Sequence, residues 1–432
     1  MLGKFFTIAC LVTFILSDSF GQVIKDDKIS AAQNRVKFLR IFDGKDLTGW
    51  EGEPRFWSVR DGAIVAQVEP DVRVRNHSYL IWQDGKVTDF ELRLKVRSTK
   101  GNSGIDYRAE PVPADKTGQQ LKWTIRGYQS DIAQGWMGSL YNWGKPGAQP
   151  SQFVVVEGDE AVNQRVGSVV DKDVLYQAEY YKPGQWNEFT IVARGSHILH
   201  RINGYLVVEF IDNGRDTRRQ GLLGLQVHTG QGPFLNEFKD IRIKQFNINF
   251  GQAELLFNGQ DLNGWTFSSA ETKSAWSVEN GVLVNKGKPD TQQTAYICTK
   301  DDYTNYVLRF QYRRLGDGES GVLLRLAALT QDRPKFVRVY GKGDDFNRID
   351  AFGDFRLKVR KQASTAAFRK MPEKFWNECE VTLNKGHLEV KVNDVVRATS
   401  VRCEQAAGNI GFEASGSRLE YRNIVLIPIL TE

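Results

Sequence analysis

Apolar and polar residues alternate along most of the chain, which is typical of β-strands rather than helices. In FELRLKVR, residues 90–97, every second residue is apolar, as expected for a strand with one buried face. Two apolar stretches between 189 and 202 flank an Arg-Gly-Ser turn, and Asn203-Gly204 follows as a second tight turn. Helical periodicity is scarce, and 171–180 is the clearest helix candidate. The pattern predicts an all-β protein of the sandwich or jelly-roll type.

Six sequence landmarks occur twice in the same order, which indicates a duplicated domain. The pairs are GKDLTGW (44–50) and GQDLNGW (259–265), WSVRDG (57–62) and WSVENG (276–281), TDFELRLKVR (88–97) and TNYVLRFQYR (304–313), GNSGIDYR (101–108) and GESGVLLR (318–325), WNEFTIVARGSHILHRING (186–204) and WNECEVTLNKGHLEVKVND (376–394), and GLLGLQVHTG (221–230) and GNIGFEASG (408–416). We therefore expect domains at 36–247 and 251–430.

Two pairs of tryptophans recur at equivalent positions in the two copies. Trp50 and Trp265 form one pair, and Trp57 and Trp276 form the other. Because both copies keep these large apolar residues, we expect them to be core residues.

The first copy is longer by about 25 residues, between GNSGIDYR and WNEF. This interval contains GYQSDIAQGWMGSLYNWG, residues 127–144, which has four glycines, two tryptophans, two tyrosines and one carboxylate. Such a segment has no aliphatic run for a core strand, yet its aromatic rings are costly to leave in water. We interpret it as the loop and strand that build a ligand pocket in the first domain.

Composition and charge agree with an ordinary soluble protein of two or three domains. The 432 residues are 41% hydrophobic and 25% charged, with a net charge of +6. No block of five or six like charges occurs, so a solvated basic surface is favoured over a nucleic-acid partner. Oligomeric state does not follow from these features.

The N-terminus has the pattern of a secretory signal peptide at 1–21. Lys4 provides the positive charge, FFTIACLVTFIL the apolar region, and Ser19-Phe20-Gly21 small residues for cleavage before Gln22. The apolar stretch is too short for a transmembrane anchor, so we expect a secreted or periplasmic protein.

Three cysteines remain after such cleavage, at 298, 379 and 403. No CxxC spacing occurs, so a structural zinc site is not expected. One disulfide with a spare thiol and three buried thiols both stay open.

The ordered series FDGKDLTGW, WSV-x-DG, GNSGIDYR, GYQSDI, GSLY, WNEF, LGLQVHTG and FKDIRIK resembles the 3-keto-disaccharide hydrolase domain family, formerly a domain of unknown function. The resemblance covers 36–247 with nearly every motif and 251–430 more weakly. It implies two concanavalin A-like β-sandwich (jelly-roll) domains in tandem. It also implies a secreted enzyme that cleaves glycosides previously oxidised to a ketone at sugar carbon 3.

A 3-ketoglycoside is cleaved when a base removes the proton at carbon 2, made acidic by the ketone, and the bond to the leaving oxygen at carbon 1 breaks. The site needs a base, a donor to the enolate oxygen and an acid. Asp131 and His228, which follows the apolar segment 222–227, are the candidate catalytic residues. Structural roles stay open for both, as a turn carboxylate and as a strand-end histidine bonded to backbone. Asp106 and Glu110 are expected to be exposed strand-end carboxylates.

The candidate substrate-contacting residues lie in or near the longer interval of the first copy. They are Arg108, Arg126, Tyr128, Gln129, Trp136, Tyr141 and Trp143, with Trp123 as a further stacking candidate. Gln129 and Asp131 are two apart on a predicted strand and should share a face. Arg108 recurs as Arg325, which counts against a catalytic role for it.

No cofactor is evident, because no compact ligand motif such as HExxH or an EF-hand loop occurs. The metal is unknown, and a divalent cation near Asp131 and His228 stays open.

The second copy has FVRVYGKGDDFNR at the place of the long segment, so it keeps Tyr340 but lacks the Gln-x-Asp pattern. We expect it to have lost catalysis and to bind glycan or support the first domain. An oligosaccharide or glycoside is the expected ligand in either case. The alternative function is a non-catalytic, lectin-like protein. A laminarinase-type hydrolase is disfavoured, because the E-x-D-x-x-E strand motif is absent and 209–212 lacks its spacing.

Overall fold

The computed structural model describes most of the chain from residue 37 onward. The described residues are 37–135, 137–142, 163–164 (backbone), 181–214, 217–287, 295–316, 318–327, 335–342, 345–362, 371, 376–404, 406–414 and 418–430. The expected signal peptide at 1–21 and the expected helix at 171–180 lie outside these residues. No helix in the described part is long and apolar enough to cross a membrane.

The first half of the chain folds into two facing antiparallel sheets and a small ribbon. Its strands are β1 (Leu39–Arg40), β2 (Trp50–Glu51), β3 (Trp57–Arg60), β4 (Ala63–Val68), β5 (Arg73–Val74), β6 (Ser78–Trp82), β7 (Phe90–Lys100), β8 (Ser103–Pro111), β9 (Ile125–Ile132), β10 (Leu140–Asn142), β11 (Asn163–Gln164), β12 (Asn187–Arg194), β13 (His197–Ile202), β14 (Tyr205–Asp212), β15 (Leu222–Val227), β16 (Gly230–Gln231) and β17 (Phe234–Gln245). The nine-stranded sheet has the order β11-β14-β13-β12-β7-β17-β4-β3, with β1 also on β17. The six-stranded sheet has the order β10-β9-β8-β15-β6-β2, and β5 pairs with β16.

The second half repeats this architecture with one short 3₁₀ helix, Glu271–Ala275. Its strands are β18 (Asn249–Phe250), β19 (Glu254–Leu255), β20 (Trp265–Phe267), β21 (Trp276–Glu279), β22 (Val282–Asn285), β23 (Tyr296–Thr299), β24 (Tyr306–Arg314), β25 (Glu319–Leu326), β26 (Phe336–Lys342), β27 (Arg348–Phe352), β28 (Lys358–Gln362), β29 (Asn377–Asn384), β30 (His387–Val392), β31 (Val395–Val401), β32 (Asn409–Glu413) and β33 (Leu419–Leu430). The ten-stranded sheet has the order β21-β22-β33-β24-β29-β30-β31-β28, with β18 and β19 on β33. The six-stranded sheet has the order β20-β23-β32-β25-β26-β27.

The two halves have the same strand order in both of their main sheets. In the six-stranded sheets, β10-β9-β8-β15-β6-β2 corresponds strand by strand to β27-β26-β25-β32-β23-β20. This confirms the predicted all-β fold, a tandem pair of concanavalin A-like jelly-roll sandwiches. The exact boundaries 36–247 and 251–430 stay a prediction.

Local sequence accounts for the strands and turns that the alternation predicts. The stretch 90–97 lies in β7, and its apolar side chains Phe90, Leu92 and Leu94 enter the first core. Asn203-Gly204 joins β13 to β14 with positive φ angles of 49° and 81°. This left-handed pair matches the twist of a two-residue hairpin, so the predicted turn is confirmed.

Each sandwich has its own hydrophobic core between its two sheets. Trp50, Trp57, Trp265 and Trp276 are all buried, as the repeat predicts. The three cysteines at 298, 379 and 403 are buried free thiols, which decides between the two alternatives that the sequence left open.

The outer faces of the two larger sheets pack against each other. Arg309 on β24 is buried and forms ion pairs with Glu209 (2.9 Å), Glu378 (2.8 Å) and Glu380 (2.9 Å). Arg194 of the first sandwich also pairs with Glu380, at 2.8 Å. An apolar cluster that includes Ile211, Phe250, Val307 and Ile427 lies beside these ion pairs. The sandwiches are therefore joined by buried charge and apolar contact together.

Candidate active site

The six-stranded sheet of the first sandwich carries polar side chains on the face turned away from the core. In the strand register, Asp106 on β8 is opposite Gln129 on β9 and Gly224 on β15. Tyr107 and Tyr128, one residue away on the same strands, point into the core, so the polar residues point outward. The same alternation places a further set on this outer face. We call these six residues the polar face: Tyr79, Asp106, Gln129, Asp131, Tyr141 and Gln226.

Two glutamines link the middle of the polar face. Gln129 donates from Nε2 to Oε1 of Gln226 at 3.2 Å, and Gln226 donates from Nε2 to the hydroxyl of Tyr79 at 2.9 Å. Nε2 of Gln129 also lies 3.4 Å from Oδ1 of Asp131. This chain of amides connects Tyr79 and Gln226 to the carboxyl group of Asp131.

Asp106 is fully buried in the middle of β8. Its exposed fraction is 0%, and neither carboxyl oxygen has a hydrogen-bond partner among the described residues. Burial raises its pKa well above the usual range; the nearby hydroxyl of Tyr79 opposes this shift and the charge of Asp131 adds to it. Burial therefore favours the neutral, protonated form of Asp106 over its charged form. The expectation of an exposed strand-end carboxylate is wrong, because β8 continues past Asp106 and β9 and β15 flank it.

Asp131 is half-buried near the end of β9. Burial raises its pKa to about 7, opposed by a hydrogen bond from the backbone of Ile132. A carboxyl with this pKa accepts or releases a proton near neutral pH, as a general base or acid requires. Tyr141 on β10 is opposite Gln129, and burial and the charge of Asp131 raise its pKa. Its hydroxyl therefore keeps its proton beside the two acids.

His228 lies on the same side of the sheet as Asp131, because it is two residues beyond Gln226. Sheet geometry puts the Asp131 and His228 backbones about 12 Å apart. Nδ1 of His228 is 2.5 Å from the carbonyl oxygen of Thr229, and its ring packs edge-on against His77 at 4.6 Å between centroids. Burial lowers the pKa of both imidazoles, that of His77 to about 4. His228 therefore pairs with His77 and is neutral at pH 7.

Tyr128 does not belong to the polar face. It is 0% exposed, packs in the first core, and donates a short hydrogen bond to Asp212. The expectation that it contacts substrate is wrong, because successive residues of β9 point to opposite faces.

Arg108 is likewise a structural residue. Its buried guanidinium pairs with Asp89 at 2.8 Å and donates to the carbonyl oxygens of Thr88 and Gly195, both at 2.8 Å. It has a positive φ of 48° in a bulge of β8, and Arg325 has the same conformation, at 53°, in the second copy. The expectation of a substrate contact is wrong, because every part of this side chain holds the scaffold.

Arg126 is on the same side of β9 as Tyr128, and its Nε lies 2.9 Å from Glu110. Both side chains of this pair are exposed, at 42% and 50%, so Glu110 lies in solvent as the sequence predicts. Arg126 therefore lies on the other side of β9 from the polar face, and its expected substrate contact stays a prediction. Trp136 and Trp143 lie outside the described residues, and the half-buried ring of Trp123 has the Lys122 ammonium 4.1 Å from its centroid.

Three members of the polar face are not predicted as site residues by the sequence. Gln226 is a lone amide in the apolar run GLLGLQV, and Asp106 lies between Ile105 and Tyr107; both follow the period-two pattern that could have identified them. Tyr79 has no such signal, because its neighbours Leu80 and Ile81 are apolar too.

The equivalent face of the second sandwich has different chemistry. Strand register puts Leu323 at the place of Asp106, Arg338 at that of Gln129, Tyr340 at that of Asp131 and Glu413 at that of Gln226. Arg338 pairs with Glu413 at 2.8 Å. Glu413, the single acid among these four residues, is therefore neutralised by an ion pair with Arg338. Tyr340 lies at the position of Asp131. It is therefore not the equivalent of Tyr128, the tyrosine of β9.

The described residues contain no group of three or more histidine, cysteine, aspartate or glutamate side chains that could hold a metal ion. The polar face provides two carboxylates, of which one is protonated, so its described donors fit proton transfer better than metal ligation.

Two facing antiparallel sheets, with a polar, titratable outer face on the smaller one, define a jelly-roll sandwich protein of the concanavalin A-like class. The chain belongs to the 3-keto-alpha-glucoside-1,2-lyase-like domain family, whose model matches residues 37–244 and again 252–427. The family is one of glycoside-acting enzymes.

The chain is also similar to individual proteins. It is 24% identical over 212 residues to a 3-keto-disaccharide hydrolase from Bacteroides thetaiotaomicron, a match that covers 44% of this chain and 66% of that relative. A putative glycosyl hydrolase from Parabacteroides distasonis, known as a crystal structure, is 24% identical, with 48% of this chain and 99% of that one covered and a TM-score of 0.31. A carbohydrate-binding module from Bacillus subtilis is 14% identical, with 46% and 96% covered and a TM-score of 0.28.

Proposed function

We propose that the first sandwich cleaves glycosides that carry a ketone at carbon 3 of the sugar. The observation that carries this proposal is the pair of carboxyl groups on the polar face, Asp106 and Asp131, which the second sandwich lacks. Family membership supports the same substrate class. One group that titrates near neutral pH beside a neutral acid suits the removal of a weakly acidic carbon-bound proton.

In the proposed reaction, ionised Asp131 takes the proton from sugar carbon 2. The electron pair of that bond enters the ketone as an enolate, and Tyr141 is placed to donate a hydrogen bond to it. Reformation of the ketone expels the oxygen at carbon 1, which takes a proton from solvent. Water then adds across the new double bond: its oxygen bonds to carbon 1, and carbon 2 recovers the proton held by Asp131. Asp106 stays protonated, so it does not compete with Asp131 as a base.

His228 is the second proposed catalytic residue. Its neutral imidazole is about 12 Å along the sheet from Asp131 at the backbone, a distance that leaves room for one sugar ring between the side chains. We assign it to the leaving-group side of the sugar. Because Nδ1–H is donated to Thr229, the neutral ring carries a lone pair on Nε2, which takes a proton from the water that adds at carbon 1. Gln129 holds Asp131, and Trp136 and Trp143 remain proposed stacking residues.

The test is turnover of a 3-keto-disaccharide or an aryl 3-keto-glycoside beside its unoxidised parent. We expect the purified protein to cleave only the oxidised compound, with a rate that rises with pH through about 7 as Asp131 ionises. Asp131→Asn and His228→Ala should each slow the reaction at least about a hundredfold.

Glu110→Gln is the matched control, because this exposed carboxyl lies on the same strand as Asp106 but outside the polar face. It should keep the wild-type rate. Glycan binding without turnover in the wild type would instead favour the lectin-like alternative. Recovery of activity by Ca²⁺ or Mn²⁺ after chelation would add a divalent cation to the proposal.

We also propose that residues 1–21 direct export to the periplasm or the medium. A mature N-terminus at Gln22 on protein recovered there would support this proposal, and retention of the segment would contradict it.

A further inference from the structure

A cavity of about 60 Å³ lies between the two sandwiches, against the outer face of the first sandwich's larger sheet. Its walls come from both sandwiches and the connection between them. The lining residues are Arg194, Lys244, Phe246, Asn247, Ile248, Phe250, Val307, Thr382, His387, Glu389 and Lys391. A space of this size holds a few non-hydrogen atoms but no oligosaccharide. It is also on the opposite side of the first sandwich from the polar face.

Positive charge predominates on the walls of this cavity. Arg194, Lys244 and Lys391 line it, with Glu389 as the one carboxylate among the lining residues. Arg194 and Lys391 share Glu380 behind the wall, at 2.8 and 3.5 Å. The local charge of the lining is therefore positive, and a ligand that neutralises it would be stabilised.

Lys244 is the lining cation without an ion pair of its own among the described residues, although Glu91 lies opposite it on β7. It is half-buried at the end of β17, and its ammonium forms no ion pair with the described residues. Burial and the nearby charge of Lys391 lower its pKa, and the carboxylates of Glu91 and Glu389 oppose this shift in part. A partly desolvated ammonium beside another cation costs free energy, and an anion would recover that cost.

Two further groups on the walls suit the same kind of ligand. The ring of Phe246 has the Arg194 guanidinium 5.3 Å and the Lys244 ammonium 5.4 Å from its centroid, which holds both cations at the cavity. Nδ1 of His387 is buried and has no hydrogen-bond partner in the described structure. Burial lowers the pKa of His387 and favours its neutral ring, and an oxyanion could accept a hydrogen bond from Nδ1 in the tautomer that carries the proton there.

We propose that this cavity binds a compact oxyanion, such as a phosphate, sulfate or carboxylate group, between Lys244, Arg194, Lys391 and His387. The site is separate from the glycoside site and does not depend on the proposed function. Because both sandwiches contribute ligands, an occupied site stabilises their contact. The anion is either a free inorganic ion or the acidic group of a sugar acid.

Calorimetric titration of the full chain tests the proposal, with phosphate, sulfate and glucuronate as probes and chloride at the same ionic strength as the reference. We expect saturable binding of at least one probe and a melting temperature that rises with its concentration. Lys244→Met should weaken binding at least about tenfold, whereas Lys244→Arg should retain it.

Lys239→Met is the matched control. Lys239 is on the same strand, but its ammonium packs 4.1 Å from the ring centroid of Trp186, outside the cavity. It should bind the probes like the wild type. Tighter binding of glucuronate identifies a sugar acid, and tighter binding of phosphate or sulfate a free ion. No binding by the wild type, or equal binding by correctly folded Lys244→Met, would overturn the proposal.

Discussion

Asp131 and Asp106 lie on neighbouring strands, yet their surroundings give them different protonation states. Asp106 is fully buried, which raises its pKa well above the usual range, whereas burial raises the pKa of Asp131 to about 7. Two acids with separated pKa values can divide the roles of acid and base, as many enzymes that work on sugars do. This division follows from burial, since both side chains are chemically the same.

The raised pKa of Asp131 has a consequence for stability that does not depend on catalysis. Neutral Asp131 favours the folded state, so its contribution is fully present below pH 4 and is lost as the pH rises through about 7. Asp131→Asn removes this ionisation and should be more stable than the wild type at pH 8, by about 1 kcal/mol or more. Near pH 4 the two should be alike, which urea unfolding at both pH values would measure.

Glu110→Gln provides a control of opposite sign for that experiment. Its hydrogen bond with Arg126 lowers the pKa of Glu110, so the wild-type carboxylate favours folding at high pH. This variant should show no gain at pH 8. An Asp131→Asn protein without a pH-dependent gain would contradict the assigned pKa.

At the scale of single residues, spacing along the chain predicts only part of the site. Gln129 and Asp131 are two apart and do share a face, because a strand has a period of two. Tyr128 and Arg108 were equally suitable by residue type, but one faces the core and the other holds the scaffold in a bulge. The direction of a side chain depends on which face of the strand meets the other sheet.

Among the elements, β8 and β9 build the polar face through an unusually close contact. Gly104 on β8 is opposite Asp131, and the amide of Gln129 lies over it. A Cβ atom at Gly104 would be 2.1 Å from Nε2 of Gln129. The second sandwich repeats this arrangement, because a Cβ at Gly321 would be 2.5 Å from Glu413. Glycine provides the space for a cross-strand side chain in both copies.

Gly104→Ala should displace Gln129 and with it Asp131, which loses its amide contact. We expect kcat/KM on a 3-keto-glycoside to fall about tenfold or more, with the fold retained in circular dichroism. Gly321→Ala is the matched control, since it disturbs the same place in the second sandwich. It should keep the wild-type rate, and an equal loss in both variants would contradict catalysis by the first sandwich alone.

Strands and turns are the features of this protein that local sequence predicts well. The hairpin of β12 and β13 and the tight turn at Asn203-Gly204 appear where alternation and turn residues place them. The burial of β13 is not predicted by local sequence. All six of its residues are buried, on both faces of the strand. Its outer face is covered by the second sandwich, a contact that no local pattern encodes.

In the whole molecule, the two sandwiches meet through a cluster of buried charges centred on Arg309. Its guanidinium forms ion pairs with three glutamates: Glu209 of the first sandwich, and Glu378 and Glu380 of the second. Removing one partner of a buried ionic cluster is costly, because the remaining charges stay desolvated.

Arg309→Met should therefore destabilise the protein by about 3–5 kcal/mol. Arg313→Met, on the same strand, is the control, because Arg313 is 41% exposed in its pair with Glu420. It should cost less than about 1 kcal/mol. Urea unfolding measures both, and similar costs for the two variants would show that the cluster does not hold the sandwiches together.

The amino-acid sequence by itself determines the β-strands, the tandem repeat and the buried tryptophans, because these depend on spacings within one copy and on its comparison with the other. It also identifies Gln129 and Asp131 as partners, since two residues on one strand need no knowledge of its neighbours. Only the tertiary structure decides that Asp106 is a buried acid, that Arg108 holds the scaffold and that Gln226 and Tyr79 complete the polar face. These properties depend on which strands lie side by side and on how much water remains between them, and both are set by contacts between residues far apart in the chain.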